Sequence, residues 1–198
     1  MSAALAVLLA YLVGAVPVGV IVARIFGVGD IRRQGSGNVG ATNVLRTAGR
    51  LPALLTLAGD IAKGYTAAAL AVISDDPRAA APCAVAAVIG NCWSVFLAFR
   101  GGKGVATGLG AFLRLVPAAI APALVVWLLV TLVSRYVSLG SLVATVSVPI
   151  AALLFGYSLP SVLATLAVSV IVVIRHRENI ARLLSGTERR VRAGRTAA

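Results

Sequence analysis

The chain has 198 residues, of which 60% are hydrophobic and only 12% are charged. A soluble domain is usually about 45–50% apolar and about one quarter charged, so the composition excludes an ordinary soluble fold. We therefore predict an all-α integral membrane protein that forms one domain over residues 1–198. The net charge of +12 lies mainly in short loops and the C-terminal segment. That pattern is typical of loops facing anionic lipid, and we expect no nucleic acid as a partner.

Six apolar runs, taken in chain order, predict the membrane helices. They cover residues 3–25, 51–73, 79–99, 105–133, 139–155 and 159–174. The first run has no basic segment before it and is long for a signal peptide, so we interpret it as a retained span. The fourth run contains Pro117 and could form either one long tilted helix or a helical hairpin bent near that proline.

The distribution of charge decides between these two arrangements. With the hairpin, one side of the membrane carries 14 of the 18 basic residues, which lie in loops 27–50 and 99–104, at Arg135 and in a basic tail over 175–198. The other side then carries only Arg78. The positive-inside rule favours this arrangement, so we predict seven crossings with the N-terminus outside and the C-terminus in the cytoplasm. Because residues 105–116 give only about 18 Å of helix, we expect a short or re-entrant span there.

The loop after the first run is rich in glycine and small polar side chains. Three glycines within six residues let backbone N–H groups approach a ligand closely, and the sequence after Gly40 favours a helix start. With Arg46 as a charged clamp, these groups suit phosphate oxygens. The alternative is a flexible turn capped by Ser or Asn. The candidate phosphate-binding residues are Gly35, Ser36, Gly37, Asn38, Thr42 and Asn43.

The second loop, residues 99–108, places Lys103 among glycines at the start of a predicted helix. It resembles a nucleotide-binding P-loop, but residue 97 is Leu and Lys103 is followed by Gly104, where that motif needs Gly and then Ser or Thr. Nucleotide binding is therefore disfavoured, while an ammonium group beside backbone donors still suits an anion. A basic turn at the membrane surface is the alternative. The candidates here are Gly101, Gly102, Lys103, Gly104 and Thr107.

Two further polar segments lie near the C-terminal half of the chain. Ser138 and Ser141 are three residues apart and share a helix face, although capping and small-residue packing would also explain them. His176 is the only histidine and shares a helix face with Asn179, so both are expected to point into the bundle. An interfacial histidine is the alternative.

Two charged residues lie inside the second apolar run. Asp60 and Lys63 are three residues apart, and intramembrane charges are usually paired or functional, so we favour a structural ion pair.

Cys83 and Cys92 lack metal-ligand or disulfide spacing and are predicted to be small buried apolar side chains. We expect no metal and no cofactor.

Five segments, in this order, resemble the bacterial acyl-phosphate:glycerol-3-phosphate acyltransferase family, PlsY. They are SGNVGATNVLR at 36–46, DIAKG at 60–64, VFLAFRGGKGVAT at 95–107, RYVSLGS at 135–141 and HRENIARLLSGTE at 176–188. The resemblance implies a seven-helix bundle in a bacterial plasma membrane, with its active site at the cytoplasmic face. It also implies transfer of a fatty acyl group from acyl phosphate to the 1-hydroxyl of glycerol 3-phosphate, without acyl-CoA or acyl carrier protein. Lysophosphatidic acid is the product, in the first acylation step of phospholipid synthesis.

One position departs from the family pattern. Family members usually have Gly-His followed by a Pro upstream of the lysine, whereas this chain has Gly90-Asn91-Cys92-Trp93. Asn can exchange hydrogen bonds but cannot hold a proton near neutral pH. If the family's histidine is an obligatory base, this chain is inactive or altered; if it is a polar anchor, Asn91 replaces it. The residues predicted to support the site are Asp60, Lys63, Asn91 and Glu188.

The expected chemistry is direct acyl transfer from a mixed anhydride, whose phosphate is a good leaving group. Arg46, Lys103 and His176 are expected to neutralise two phosphates, so that most of the catalysis is positioning and charge stabilisation. The predicted catalytic residues are Ser36, Arg46, Lys103, His176 and Asn179, with Ser141 as a further donor. No Ser-His-Asp or Cys-His arrangement is present, so we predict no acyl-enzyme, with His176 or the donor's phosphate accepting the hydroxyl proton. The rival hypotheses are a phosphate or organic-anion transporter and a catalytically weakened acyltransferase paralogue.

Overall fold

The computed structural model describes residues 1–74 and 76–190, and its regular elements are all helical. The α-helices within these residues are α1 Ala3–Ala15, α2 Val18–Ile25, α3 Ala41–Thr47, α4 Arg50–Ala69, α5 Ala80–Cys92, α6 Val105–Leu115, α7 Pro117–Ser134, α8 Val137–Leu154, α9 Leu159–Arg175 and α10 Arg177–Leu184. Short 3₁₀ turns occupy Ile31–Arg33, Leu70–Ile73, Pro77–Ala79 and Val95–Leu97. The end of the predicted basic tail, residues 191–198, lies outside the described residues.

Several of these helices are long and apolar enough to cross a membrane. By length and composition, the described residues contain four such stretches, which are Ala3–Ile25, Ala80–Leu97, Pro117–Ser134 and Val137–Leu154. Helices α9 and α10 make a fifth candidate, bent by 59° where they join. Helix α6 has 11 residues and is only about 16 Å long, well short of the ~30 Å hydrocarbon core of a bilayer.

The first apolar run is interrupted at Pro17. Proline lacks an N–H group and crowds the preceding turn, so α1 ends at Ala15. Neighbouring helices bind the carbonyls that the break frees. Lys63 Nζ donates to the Val16 carbonyl at 2.8 Å, and Ser94 Oγ donates to the Ala15 carbonyl at 2.6 Å. The break therefore creates buried acceptors that fix α4 and the end of α5 against α1.

The fourth apolar run forms a hairpin of two helices that separate just before Pro117. Helix α6 packs against α4 and α5, whereas α7 packs mainly against α8. The two ends of the run nevertheless meet. Lys103, before α6, donates to Asn179. Ser138, after α7, donates to Glu188, which also accepts from the Asn179 amide. The chain thus runs out and back, as the charge distribution predicts.

Glycines bring the central helices together. A Cβ on Gly14 of α1 would overlap the backbone of Ala87, and one on Gly64 of α4 would overlap the carbonyl of Thr107. Such small-residue contacts are a common way for membrane helices to pack.

Helices α1, α4, α5, α6 and α9 form a helical body, and α7 with α8 forms an arm joined to it through α9. A cleft lies between the body and the arm.

Candidate active site

The polar segments of the sequence converge on this cleft, which has a volume of about 560 Å³. Its rim is formed by the loops before α3 and α6, by the start of α8 and by α10, and its walls by the helical body and the arm. The sequence-predicted residues that line it are Gly35, Ser36, Asn38, Thr42, Asn43, Arg46, Asp60, Asn91, Gly102, Lys103, Gly104, Thr107, Ser138, Ser141, His176, Asn179 and Glu188. Gly37, Gly101 and Lys63 are not part of the lining.

Asn43 holds the first loop together. It is 2% exposed, its Oδ1 accepts from the Ser36 N–H at 2.8 Å, and its Nδ2 donates to the carbonyls of Ile31, Gln34 and Asn38. Its amide is therefore fully used inside the loop. In this arrangement Asn43 fixes the shape of the loop, and its contact with phosphate stays a prediction.

The glycines of this loop shape it. Gly35 and Gly37 have φ of +61° and +70°, the left-handed region that favours glycine. The N–H of Gly37 donates to the Gln34 carbonyl, and the N–H of Gly40 donates to Asn38 Oδ1 at 2.8 Å. The N–H of Gly37 is thus used within the loop, and its role as a phosphate donor stays a prediction. Among the described residues, the groups available on this side of the cleft include the hydroxyls of Ser36 and Thr42, the Nδ2 of Asn38 and the guanidinium of Arg46.

All four backbone polar groups of Gly101 and Gly102 are bonded within the protein. Their N–H groups donate to the carbonyls of Cys92 and Asn91 at 3.1 and 2.9 Å. Their carbonyls accept from the Arg175 guanidinium at 3.0 and 3.1 Å. A Cβ on Gly101 would overlap the Asn91 carbonyl. In this arrangement the two glycines form a fixed base for Lys103, and their donation to phosphate stays a prediction.

Free donors lie at the start of α6. Its first N–H groups have no acceptor within the helix, and residues 104–107 all line the cleft. The Thr107 hydroxyl is buried and has no hydrogen-bond partner among the described residues. Buried polar atoms without partners are uncommon in folded proteins. This geometry is what a ligand-binding hydroxyl requires.

A chain of polar side chains holds Lys103 at the rim. Its Nζ donates to Asn179 Oδ1. The Asn179 Nδ2 donates in turn to Glu188 Oε1 at 2.7 Å. Glu188 also accepts from Ser138 Oγ at 2.9 Å and from Arg182 Nε at 2.7 Å. Asn179 therefore orients the lysine, and Ser138 has already committed its hydrogen to Glu188.

The rim remains cationic at neutral pH. Burial lowers the pKa of Lys103 from its usual 10.5 to about 8, while the nearby Glu188 acts in the opposite direction. Burial alone would raise the pKa of Glu188, but the hydrogen bonds that it accepts lower it overall, so it stays ionised. Burial and then the neighbouring Arg189 lower the pKa of Arg46. A guanidinium keeps its charge at any physiological pH.

His176 lies at the bend beyond α9 and is 3% exposed. Its Nδ1 is 2.8 Å from the Val172 carbonyl. Since a carbonyl only accepts, Nδ1 carries the hydrogen, and the neutral ring has its acceptor at Nε2. Burial lowers the pKa of His176 to about 4. The ring is therefore neutral in this structure, and the role of His176 in neutralising a phosphate charge stays a prediction.

Ser141 is the serine of α8 with a free hydrogen. It is buried and accepts from Trp127 Nε1 at 3.3 Å, while its own hydroxyl hydrogen has no acceptor in the described part of the chain. Trp127, which the sequence analysis did not assign, stands where the polar rim meets the apolar part of the cleft.

Asp60 and Lys63 form the predicted buried ion pair, with Nζ 2.8 Å from Oδ1. Lys63 also donates to Asn91 Oδ1 at 2.9 Å and to the Val16 carbonyl at 2.8 Å. The three hydrogens of the ammonium group therefore have three acceptors. Asn91 serves here as a neutral acceptor, the role of a polar anchor.

Below the rim, the cleft continues as an apolar trough between the body and the arm. The side chains that form it are Phe112, Ile120, Ala123, Trp127, Val148 and Val168. Leu57 and Leu124 also line the cleft and are 39% and 46% exposed, so the trough opens sideways between the helices. In so apolar a sequence, nothing distinguishes such residues from those that face lipid.

Sequence reasoning also missed two cations of the rim. Arg182 and Arg189 line the cleft. Arg182 follows Asn179 by three residues, and this spacing on α10 was a signal that could have found it. Arg189 lies beyond α10, where no helical spacing applies.

A helical membrane bundle whose cleft joins a cationic rim to an apolar trough suits a molecule with an anionic head and a long apolar tail. The fold and the site thus define a lipid-handling integral membrane protein. The family model for glycerol-3-phosphate acyltransferase matches residues 4–186 of the chain. The chain therefore belongs to the glycerol-3-phosphate acyltransferase family and is an integral membrane enzyme of phospholipid synthesis.

Individual relatives agree with the family match. The glycerol-3-phosphate acyltransferase of Rubrobacter xylanophilus is 49% identical over 187 residues, which are 94% of each chain. That of Syntrophotalea carbinolica is 48% identical over 189 residues, 94% of this chain and 96% of the relative. The crystal structure of PlsY (YgiH), an integral membrane glycerol 3-phosphate acyltransferase in its glycerol 3-phosphate form, has a TM-score of 0.91 at 40% identity over 96% of each chain. Its lysophosphatidic acid form has a TM-score of 0.89 at 38% identity, covering 96% of this chain and 95% of that one.

Proposed function

We propose that this chain transfers a fatty acyl group from acyl phosphate to the 1-hydroxyl of glycerol 3-phosphate, giving lysophosphatidic acid and inorganic phosphate. The junction of the cationic rim with the apolar trough carries the proposal, because the two phosphates suit the rim and the acyl chain suits the trough. The glycerol 3-phosphate and lysophosphatidic acid forms of the similar structure support the acceptor and the product.

The rim offers charges and donors for two phosphates. Lys103 and Arg46 are the central cations, with Arg182 and Arg189 beside them. Two phosphates held near each other repel, and such cations offset that repulsion. The neutral groups proposed to contact substrate are Ser36, Thr42, Gly104, Thr107, Ser141 and His176. Asn179 keeps Lys103 in place by accepting its hydrogen bond.

The reaction needs no nucleophile from the protein. The glycerol 3-phosphate hydroxyl oxygen attacks the acyl carbonyl carbon, the bond from that carbon to the phosphate oxygen breaks, and the electron pair leaves with phosphate. The departing phosphate carries the electron pair of the broken bond on an oxygen atom, whereas burial lowers the pKa of His176. We therefore propose that the departing phosphate accepts the hydroxyl proton, and that His176 contacts substrate through its unprotonated Nε2.

We also infer a topology of seven crossings, with the N-terminus outside and the cleft at the cytoplasmic face of a bacterial plasma membrane. The cations of the rim support it through the positive-inside rule, and the hairpin of α6 and α7 returns the chain to the rim. Ser2 and Ser185 are exposed, while Cys83 and Cys92 are buried and free. In intact cells, a membrane-impermeant maleimide should label S2C and not S185C; the reverse pattern would overturn the topology.

Asn91 is compatible with full activity in this proposal. Its side chain accepts from Lys63 and its carbonyl accepts from Gly102. Neither contact needs a proton to be gained or lost. We therefore infer that Asn91 replaces the family's histidine as an anchor, which disfavours the weakened paralogue.

One assay tests the reaction. The purified protein receives glycerol 3-phosphate, a chelator and one donor at a time: palmitoyl phosphate, palmitoyl-CoA or palmitoyl acyl carrier protein. We expect lysophosphatidate and equimolar phosphate with palmitoyl phosphate alone, and loss of both products in K103Q. R177Q is the matched control, because Arg177 is an exposed cation outside the cleft lining. Product from the other donors, a covalent acyl adduct on the protein or a requirement for divalent metal would contradict the proposal.

A further inference from the structure

Arg175, the last residue of α9, hydrogen-bonds the loop that precedes Lys103. Its Nε donates to the Gly102 carbonyl at 3.1 Å, and its Nη2 donates to the Gly101 carbonyl at 3.0 Å. The guanidinium also lies over the Trp93 ring, 5.5 Å from its centroid. On the other edge of the loop, the carbonyls at the end of α5 accept both glycine N–H groups. The loop is therefore clamped between α5 and α9.

Arg175 does not line the cleft, so any influence on the reaction passes through the residues beside it. Gly102 is followed directly by Lys103, and Arg175 is followed directly by His176. One guanidinium thus connects the Gly101–Gly102 loop to the end of α9, the two segments that bring Lys103 and His176 into the cleft. The planar fork of arginine can bind two carbonyls at once, whereas the compact ammonium of lysine makes a point contact.

We propose that Arg175, supported by Trp93, is a positioning residue for acyl transfer, which fixes the Gly101–Gly102 loop at the depth where Lys103 meets Asn179. The kinetic consequence rests on the proposed function of Lys103. The position of the lysine is a property of the folded protein, and it can be measured without turnover.

The chain contains only two lysines, Lys63 and Lys103, so labelling of Lys103 can be followed by mass spectrometry of its peptide. Competitive labelling with acetic anhydride from neutral to alkaline pH gives its pKa, which is expected near 8 in the unaltered protein. In R175Q the loosened loop admits water to the ammonium group, and we expect this pKa to rise by about one unit or more, toward the value of a free lysine. The charged groups that act on Lys103 (Glu188, Arg182, Glu178 and Arg46) are unchanged in this variant.

Two variants separate geometry from charge. R175K keeps the charge but loses the fork, so it should move the Lys103 pKa in the same direction as R175Q. R177Q removes an equivalent charge two residues away and should leave that pKa unchanged. W93L, which removes the ring beneath the guanidinium, should give a smaller rise. Where R175Q yields too little folded protein, R175K and W93L decide the question.

Kinetics give the second measurement. In R175Q, kcat/KM for glycerol 3-phosphate should fall about tenfold or more, and the alkaline limb of its pH profile should move upward with the labelling pKa. The proposal is overturned if R175Q and R175K keep the original Lys103 pKa and lose only the fraction of active enzyme. If the unaltered protein has no acyltransferase activity, the proposed function fails, while the labelling experiment still decides the role of Arg175.

Discussion

Replacing Glu188 by Ala removes the acceptor of three hydrogen bonds at the rim, from Ser138, Asn179 and Arg182. The bond from Asn179 is the one that leads to Lys103, because the same amide accepts from the lysine on its other side. A hydrogen bond to a charged group contributes about 1.5–3 kcal/mol. Since 1.4 kcal/mol corresponds to about a tenfold change, E188A should lower kcat/KM for glycerol 3-phosphate by about 10- to 150-fold.

The charge of Glu188 has a second effect that E188Q isolates. Glutamine keeps an oxygen that can accept from Asn179 but lacks the charge that favours the protonated form of Lys103. The pKa of Lys103 should therefore fall below its value of about 8. Because a lysine is charged only below its pKa, E188Q should keep most of its activity in slightly acidic buffer and lose it at a lower pH than the unaltered enzyme.

Phosphate release from acyl phosphate in detergent measures both effects. E178Q is the control for the hydrogen bonds, because Glu178 is an exposed carboxylate that also raises the pKa of Lys103 but has no hydrogen-bond partner among the described side chains. The reasoning is refuted if E188A stays within about twofold of E178Q. It is also refuted if E188A loses activity only in proportion to its loss of folded protein.

Three further predictions concern other parts of the cleft. In the unaltered enzyme, kcat/KM for glycerol 3-phosphate should fall above about pH 8, because Lys103 loses its proton there. The value of kcat should stay constant to a higher pH, because a bound phosphate raises the pKa of Lys103. A kcat/KM that stays flat well above pH 8 would contradict this prediction. A123F should fill the trough and lower the activity with long acyl chains relative to short ones by about 10- to 100-fold, since overpacking costs about 1–3 kcal/mol. A121F, on the exposed face of α7, is the control and should leave the chain preference unchanged. Equal effects of the two substitutions would argue that the trough does not bind the acyl chain. N91H should keep its activity within about threefold of the unaltered enzyme. N91L should lose about tenfold in activity, because one N–H donor of Lys63 is then left without an acceptor. The same loss in both variants would show that position 91 is not an anchor.

The sequence predicted which segments meet, because polar motifs stand out in an apolar chain and charges indicate the side on which a loop lies. The hairpin near Pro117 followed from that distribution. The helical spacing of His176 and Asn179 also predicted that both are buried, and they are 3% and 5% exposed. Periodicity and charge are local properties, so they can be read without the fold.

What each polar group binds could not be read in the same way. Gly101 and Gly102 look like phosphate-binding glycines, yet their N–H groups donate to the carbonyls of Cys92 and Asn91. Asn43 is likewise used by carbonyls of its own loop. A donor's partner depends on which groups the tertiary fold brings within about 3 Å, and a single sequence does not specify that distance.

The sideways opening of the trough has a consequence for how the enzyme meets its two substrates. In the proposed reaction, we expect a donor with a long acyl chain to dissolve in the bilayer and to reach the opening beside Leu57 and Leu124 by diffusion in two dimensions, whereas glycerol 3-phosphate arrives from water. The effective concentration of the donor is then its mole fraction among lipids or detergent. Adding inert detergent at constant total donor should raise the apparent KM for the donor and leave that for glycerol 3-phosphate unchanged. The bilayer would therefore act as the reservoir of one substrate, and its fluidity as a control on the rate of supply.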